Sequence, residues 1–250
     1  MIPEIGSADW LRRLLLSAGP RIIGSLMYQS RLMYQSGLLL ITLAIGIGRI
    51  AAAQTPMHQE PHHHLVFENE SLRVMEPRIE AGEATFEHLH SRDDATICIS
   101  GAILRSRKPG EDWSKPGQPC KPGSISTTEY TGKPSSHTVR NDGGGIFRLV
   151  AVENLRENGW SDYAPLGGSG VDLVKESRAF RIYEVKLPGG SETGHTHKVP
   201  TIAVIVSGDV TAGEQTLDRP GRWVFIPAGR AHKLKAIGSG EAHVVEIEVR

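Results

Sequence analysis

The chain has 250 residues and 39% of them are apolar, which places it with globular rather than disordered proteins and allows one large domain or two small ones. Its 28 basic and 28 acidic residues cancel, and no concentrated basic run is present, so nucleic acid is not expected as a partner. The 28 glycines and 15 prolines suit many short strands joined by turns better than long helices.

In chain order, the first feature is a repeat: LMYQS at 26–30 recurs at 32–36, a short duplication or an over-extended start, with Met27 and Met33 as alternative beginnings. Residues 37–48 then read GLLLITLAIGIG, an apolar run too short for a membrane span of about 20 residues. Arg31 ahead of it and the small residues Ala51, Ala52 and Ala53 behind it give the form of a secretory signal. Residues 1–53 are therefore expected to be a targeting segment cleaved after Ala53, leaving a mildly acidic periplasmic or secreted protein. If left uncleaved, the segment would anchor the chain to a membrane.

The mature part opens on His58, His62, His63 and His64, read as a solvated N-terminus able to bind metal adventitiously. From Leu65 the apolar residues alternate with polar ones, as in half-buried strands, and this pattern continues to about residue 154. A proline-, glycine- and lysine-rich loop interrupts it from Lys108 to Gly123. Residues 155–177 read as a linker. Strand-like alternation restarts at Phe180 and runs to the C-terminal HVVEIEV. Two units are expected, 54–154 and 178–250, and their shared order of motifs argues for two copies of one supersecondary plan. Cys98 and Cys120 allow at most one disulfide, and spacing leaves open whether they pair.

Of the eleven histidines, six form two sets of one shape: His88, His90 and His137, then His195, His197 and His232. Residues i and i+2 of a strand point to one face, about 7 Å apart, so each His-x-His pair offers two imidazoles to one side. A third from a neighbouring strand would complete a grip on a transition metal ion. One His-x-His is weak evidence. Two copies, each followed by a spaced glycine and a later histidine, are not.

The spacing resembles that of the cupin superfamily over most of residues 64–250. The first cupin motif reads Gly82, His88, His90, Asp94, Gly101 in one half and Gly189, His195, His197, Thr201, Gly208 in the other, where the acid is missing. The second motif reads Gly221, Pro227, Gly229, His232 in the C-terminal half. Only its end, Pro134, His137 and Asn141, is recognisable in the N-terminal half. The resemblance implies an all-β protein of two tandem double-stranded β-helix (jelly-roll) barrels, a bicupin. It implies two metal sites: His88, His90, Asp94 and His137, with Asp93 as an alternative acid, and His195, His197 and His232, with Glu192 as a distant substitute for the missing acid. The ion would be divalent (Fe, Mn, Ni, Zn or Cu). The expected partner is a small organic molecule, and relatives of this kind also form homo-oligomers. Two functions stay open: a metal-dependent dioxygenase, isomerase or decarboxylase, and a non-catalytic module that binds a small ligand or metal. Catalytic residues are not identifiable at this level, since fold does not determine function.

Overall fold

The computed structural model describes residues 54–156 and 163–250. The targeting segment read at 1–53 lies outside the described residues. Among them there is no α-helix, and the only helical turn is a 3-10 turn at Met57–Gln59.

The first half contains β1 (His63–Glu68), β2 (Leu72–Ile79), β3 (His88–His90), β4 (Asp94–Ser100), β5 (Leu104–Arg107), β6 (Ile125–Thr128), β7 (Ser135–Asn141) and β8 (Phe147–Asn154). The second contains β9 (Val171–Glu176), β10 (Phe180–Leu187), β11 (Glu192–Thr196), β12 (Thr201–Ser207), β13 (Val210–Ala212), β14 (Gln215–Leu217), β15 (Trp223–Ile226), β16 (Ala231–Ala236) and β17 (Ala242–Val249). Each half is an antiparallel jelly roll of one large and one small sheet. The large sheets run β1-β2-β8-β4-β6 and β9-β10-β17-β12-β15; the small ones run β3-β7-β5 and β11-β16-β13-β14. The same plan thus occurs twice, with β14 as an addition in the second half. One boundary differs from the sequence reading: β9 falls inside the stretch taken as linker 155–177. Most of its side chains are exposed, so it carries little apolar alternation to reveal it.

Alternation in the large sheets assigns each face a job. Leu72, Val74, Ala95, Ile97, Val150 and Val152 point out of the first barrel and pack on Phe180, Ile182, Ile202, Val204, Val245 and Ile247 of the second, forming one buried cluster between the halves. Phe67 extends this contact to Trp223 and Phe225, with ring centroids at 5.8 and 5.2 Å. Asn154 donates to the carbonyls of Ala179 and Arg250 at 3.1 and 2.9 Å. The opposite face of each large sheet looks into its own barrel, and this is where the histidines sit.

Two motif glycines have a steric cause. A Cβ at Gly101 would run into the Cys120 carbonyl, and one at Gly208, where φ is +74°, would lie 2.7 Å from the Ala242 Cα. Cys98 and Cys120 are joined as a disulfide, which ties the 108–123 loop to β4.

Since the buried cluster belongs to both halves, Ile202→Ala should cost about 2–5 kcal/mol. Denaturant unfolding should show a single transition, with lowered midpoint and unchanged slope. Two separate transitions would show that the barrels fold independently.

Candidate metal centres

The antiparallel register of the small sheets explains how distant histidines meet. His195 on β11 stands directly opposite His232 on β16, and His88 on β3 directly opposite His137 on β7. The second histidine of each pair, His197 or His90, follows two residues on and shares the face.

In the second barrel the three imidazoles converge on a carboxylate. Glu246 Oε2 lies 2.7 Å from His195 Nε2 and 3.4 Å from His197 Nε2, and Oε1 lies 2.9 Å from His232 Nε2. Glu246 comes from β17 and is wholly buried. Its neighbour on the same parity, Glu248, accepts from His197 Nδ1 at 2.9 Å and from the Tyr163 hydroxyl at 2.8 Å. This orients the His197 ring and directs Nε2 to the centre, beside Glu246. Three nitrogens with ring positions set by strand pairing, plus one carboxylate, form a donor set that could hold a divalent ion.

The first barrel brings His88, His90 and His137 together, with ring centroids 4.7–5.1 Å apart. His88 is fully buried. Its Nδ1 donates to the Phe86 carbonyl at 2.9 Å, so its Nε2 lone pair faces the centre without a partner. His90 and His137 approach through their Nε2 atoms at 3.3 Å. Asp94 does not join these donors. It stands behind the ring, with Oδ2 3.3 Å from His90 Nδ1, which makes no hydrogen bond. Asp93 is committed elsewhere: it accepts from the Tyr130 and Thr131 amides at 2.9 and 2.7 Å and pairs with Arg178 at 2.8 Å. In the second barrel Thr201 gives its hydroxyl to the Val199 carbonyl, and Glu192 pairs with Lys233 at the surface, so neither replaces the missing acid.

The N-terminal histidines depart most from expectation. His63 is not solvated: its ring lies 4.5 Å from that of His88, and its Nδ1 is 2.6 Å from Glu60 Oε2. Glu60, 1% exposed, also takes His62 Nδ1 at 2.8 Å and the amides of His62 and Phe86 at 2.9 and 3.0 Å. A sequence offers no signal that a polar HHH tract folds back on a barrel.

The two centres differ in charge. Burial disfavours a charged His197, but the carboxylates of Glu246 and Glu248 outweigh it and push the imidazole up to about 9. Burial would raise Glu246, yet hydrogen bonds from the three histidines hold it well below the usual carboxylate range. In the first barrel no carboxylate reaches the centre. Burial, then the neighbouring imidazoles, lowers His88 to about 3 and His137 to about 4. A cavity of about 320 Å³ lined by Gln215, Phe225, Arg230 and His232 opens beside the second centre.

Comparison of the sequence with protein-family models and with curated proteins gives no match. Solved structures match in fold. AerE from Microcystis aeruginosa is 16% identical, covers 79% of this chain and 97% of its own, and superposes with a TM-score of 0.56. Salicylate 1,2-dioxygenase from Pseudaminobacter salicylatoxidans is 12% identical over 72% and 71% of the two chains, with a TM-score of 0.52. YhhW from Escherichia coli is 15% identical over 75% and 89%, with a TM-score of 0.51. At these identities the fold alone is shared, that of tandem jelly-roll barrels.

In the metal-free chain, His88 and His137 should remain neutral at pH 5.5 while His197 is protonated at pH 7.5, read by nitrogen chemical shifts of the imidazoles. Unfolded histidines titrate near 6.5. Lowered values for His88 and His137 therefore cost stability as pH falls below about 6.5, whereas the raised value for His197 contributes stability that is lost as pH rises through about 9. A protonated His88 at pH 5.5 would contradict this arrangement.

Proposed function

We propose that the chain is an exported metal-binding bicupin whose second barrel is a metal-dependent enzyme centre for a small organic molecule. The observation that carries this reading is the convergence of His195, His197 and His232 on the buried Glu246, beside an open cavity. A divalent ion held there would supply Lewis-acid polarisation and a template for a coordinated substrate. The chain's own contribution is orientation: Glu248 fixes His197, and strand pairing fixes His195 against His232. Oxygen insertion, isomerisation and decarboxylation are the reaction classes that suit such a centre, and the dioxygenase among the fold neighbours is in keeping with the first.

A second reading applies to the first barrel. Residues 54–63 are held against β3 and set His63 beside His88, which favours a binding or structural role there over turnover. Export is supported by two features. The disulfide between Cys98 and Cys120 suits an oxidising compartment. Cleavage after Ala53 would leave intact the segment whose Thr55 carbonyl accepts from the Leu89 amide at 2.8 Å. Among the described residues no helix is long and apolar enough to cross a membrane.

Elemental analysis of the untagged protein, expressed from the full chain, should find close to two equivalents of divalent metal. His88→Ala should remove one equivalent and His195→Ala the other. Failure to take up Fe, Mn, Ni, Zn or Cu after reconstitution would overturn the proposal. N-terminal sequencing of the exported protein should begin at Gln54; residues 1–53 intact on soluble exported protein would refute the cleaved signal.

A further inference from the structure

The repeated topology allows the two centres to be compared position by position. In the second barrel Glu246 pairs with Tyr183 on β10 and Ala203 on β12. In the first barrel the residue that pairs with Met75 on β2 and Thr96 on β4 is Ala151. The acid of the second centre is therefore an alanine in the first. The space beside that alanine is filled from outside the barrel: Met57 of the N-terminal arm, 2% exposed, packs on Met75 and Ala151.

The same arm carries an imidazole into the histidine cluster. It is attached at three places. Pro56 bridges to Leu89 alongside β3, the Thr55 carbonyl accepts from the Leu89 amide, and Glu60 accepts from the Phe86 amide at 3.0 Å. Beyond these anchors His63 lies against His88, and its ring is 6.4 Å from that of His90 at near right angles. Donor atoms of His63, His88 and Glu60 lie within 4.8 Å of one another, and His88 belongs equally to the cluster with His90 and His137. Glu60 itself is saturated by four hydrogen bonds. Its bond to His63 Nδ1 leaves Nε2 as that ring's free lone pair, the usual relation between a metal-bound histidine and its orienting carboxylate. The Nε2 of His88, the residue common to both groups, is buried and no hydrogen bond satisfies it.

We infer that His63, delivered by the N-terminal arm and oriented by Glu60, is a fourth ligand of the first-barrel metal ion and stands in for the carboxylate that the second barrel draws from its last strand. This rests on the reading that the first barrel binds metal. The two centres would then differ in kind: three imidazoles and a carboxylate in one, four imidazoles in the other.

The test uses the full chain in a His195→Ala background, so that only the first centre reports, with Cu(II) as the probe. Electron paramagnetic resonance should show nitrogen couplings from four imidazoles. His63→Gly should lose one of them and weaken Cu(II) binding at least tenfold, and added free imidazole should restore the spectrum, which a merely structural role would not allow. Glu60→Gln should retain the four-nitrogen spectrum but weaken binding about 10–100-fold. If Cu(II) binds in a His88-dependent way with an identical spectrum in His63→Gly, the inference fails while metal binding by the first barrel stands. If the His195→Ala protein binds no Cu(II) at all, the metal reading fails and this inference with it.

Discussion

The constraint on which the rest of this molecule depends is the two-residue period of its large sheets. Each of these strands must serve an apolar cluster shared with the other half on one face and a polar lumen on the other. In β17 the outward residues Val245, Ile247 and Val249 enter the shared cluster, so Glu246 and Glu248 have no choice but to point into the barrel. The same alternation sends Asp94, Ala151 and Glu153 inward in the first half. A slip of one residue would bury glutamates between the barrels and turn valines toward the histidines, so packing energy between the halves also fixes the register of the site.

Against that shared frame the two centres have diverged through a few positions. Where the second barrel places Glu246, the first has Ala151. Where Glu248 hydrogen-bonds His197, the acid behind His90 is Asp94 from the adjoining strand, 3.3 Å from Nδ1. Glu153, the counterpart of Glu248 in register with Arg73, is drawn instead into an ion pair with that arginine at 2.5 Å. The sheets supply geometry that both halves keep, namely a pair of histidines opposed across two strands. The acids are supplied by whichever neighbouring strand or arm has room for them.

This division explains what could be read from the sequence. The six histidines lie in short motifs whose spacing is itself strand geometry, so the fold class and the imidazole part of both clusters were visible before any coordinates. The acids were not. HVVEIEV is an ordinary alternating strand, and nothing in it says that its polar face is the inner one; an exposed edge strand reads alike. Asp94 occupied the expected motif position yet sits behind His90, because its short side chain on β4 reaches the Nδ1 side of the ring. His63 was read as solvated because a terminal polar tract carries no periodicity. Its burial depends on contacts with Leu89 and Phe86, more than twenty residues away. Contacts made by an arm across a barrel mouth leave no local signature.

The electrostatics give the difference between the centres a chemical meaning. A carboxylate buried beneath three imidazoles needs compensating positive charge. The carboxylates of Glu246 and Glu248 favour a charged His197, and a cation held in the site would take over that compensating role. The first centre has no such debt. His88 and His137 are kept neutral by burial and by the neighbouring imidazoles, and the acids near the cluster are committed elsewhere: Glu60 accepts four hydrogen bonds, Asp94 stands behind His90 and Glu153 pairs with Arg73. An ion bound there would be held by neutral nitrogen donors. Such a centre favours metals that bind imidazole well over those that require carboxylate oxygen, whereas the second, with its acid and its open cavity, is the one suited to exchanging an exogenous ligand.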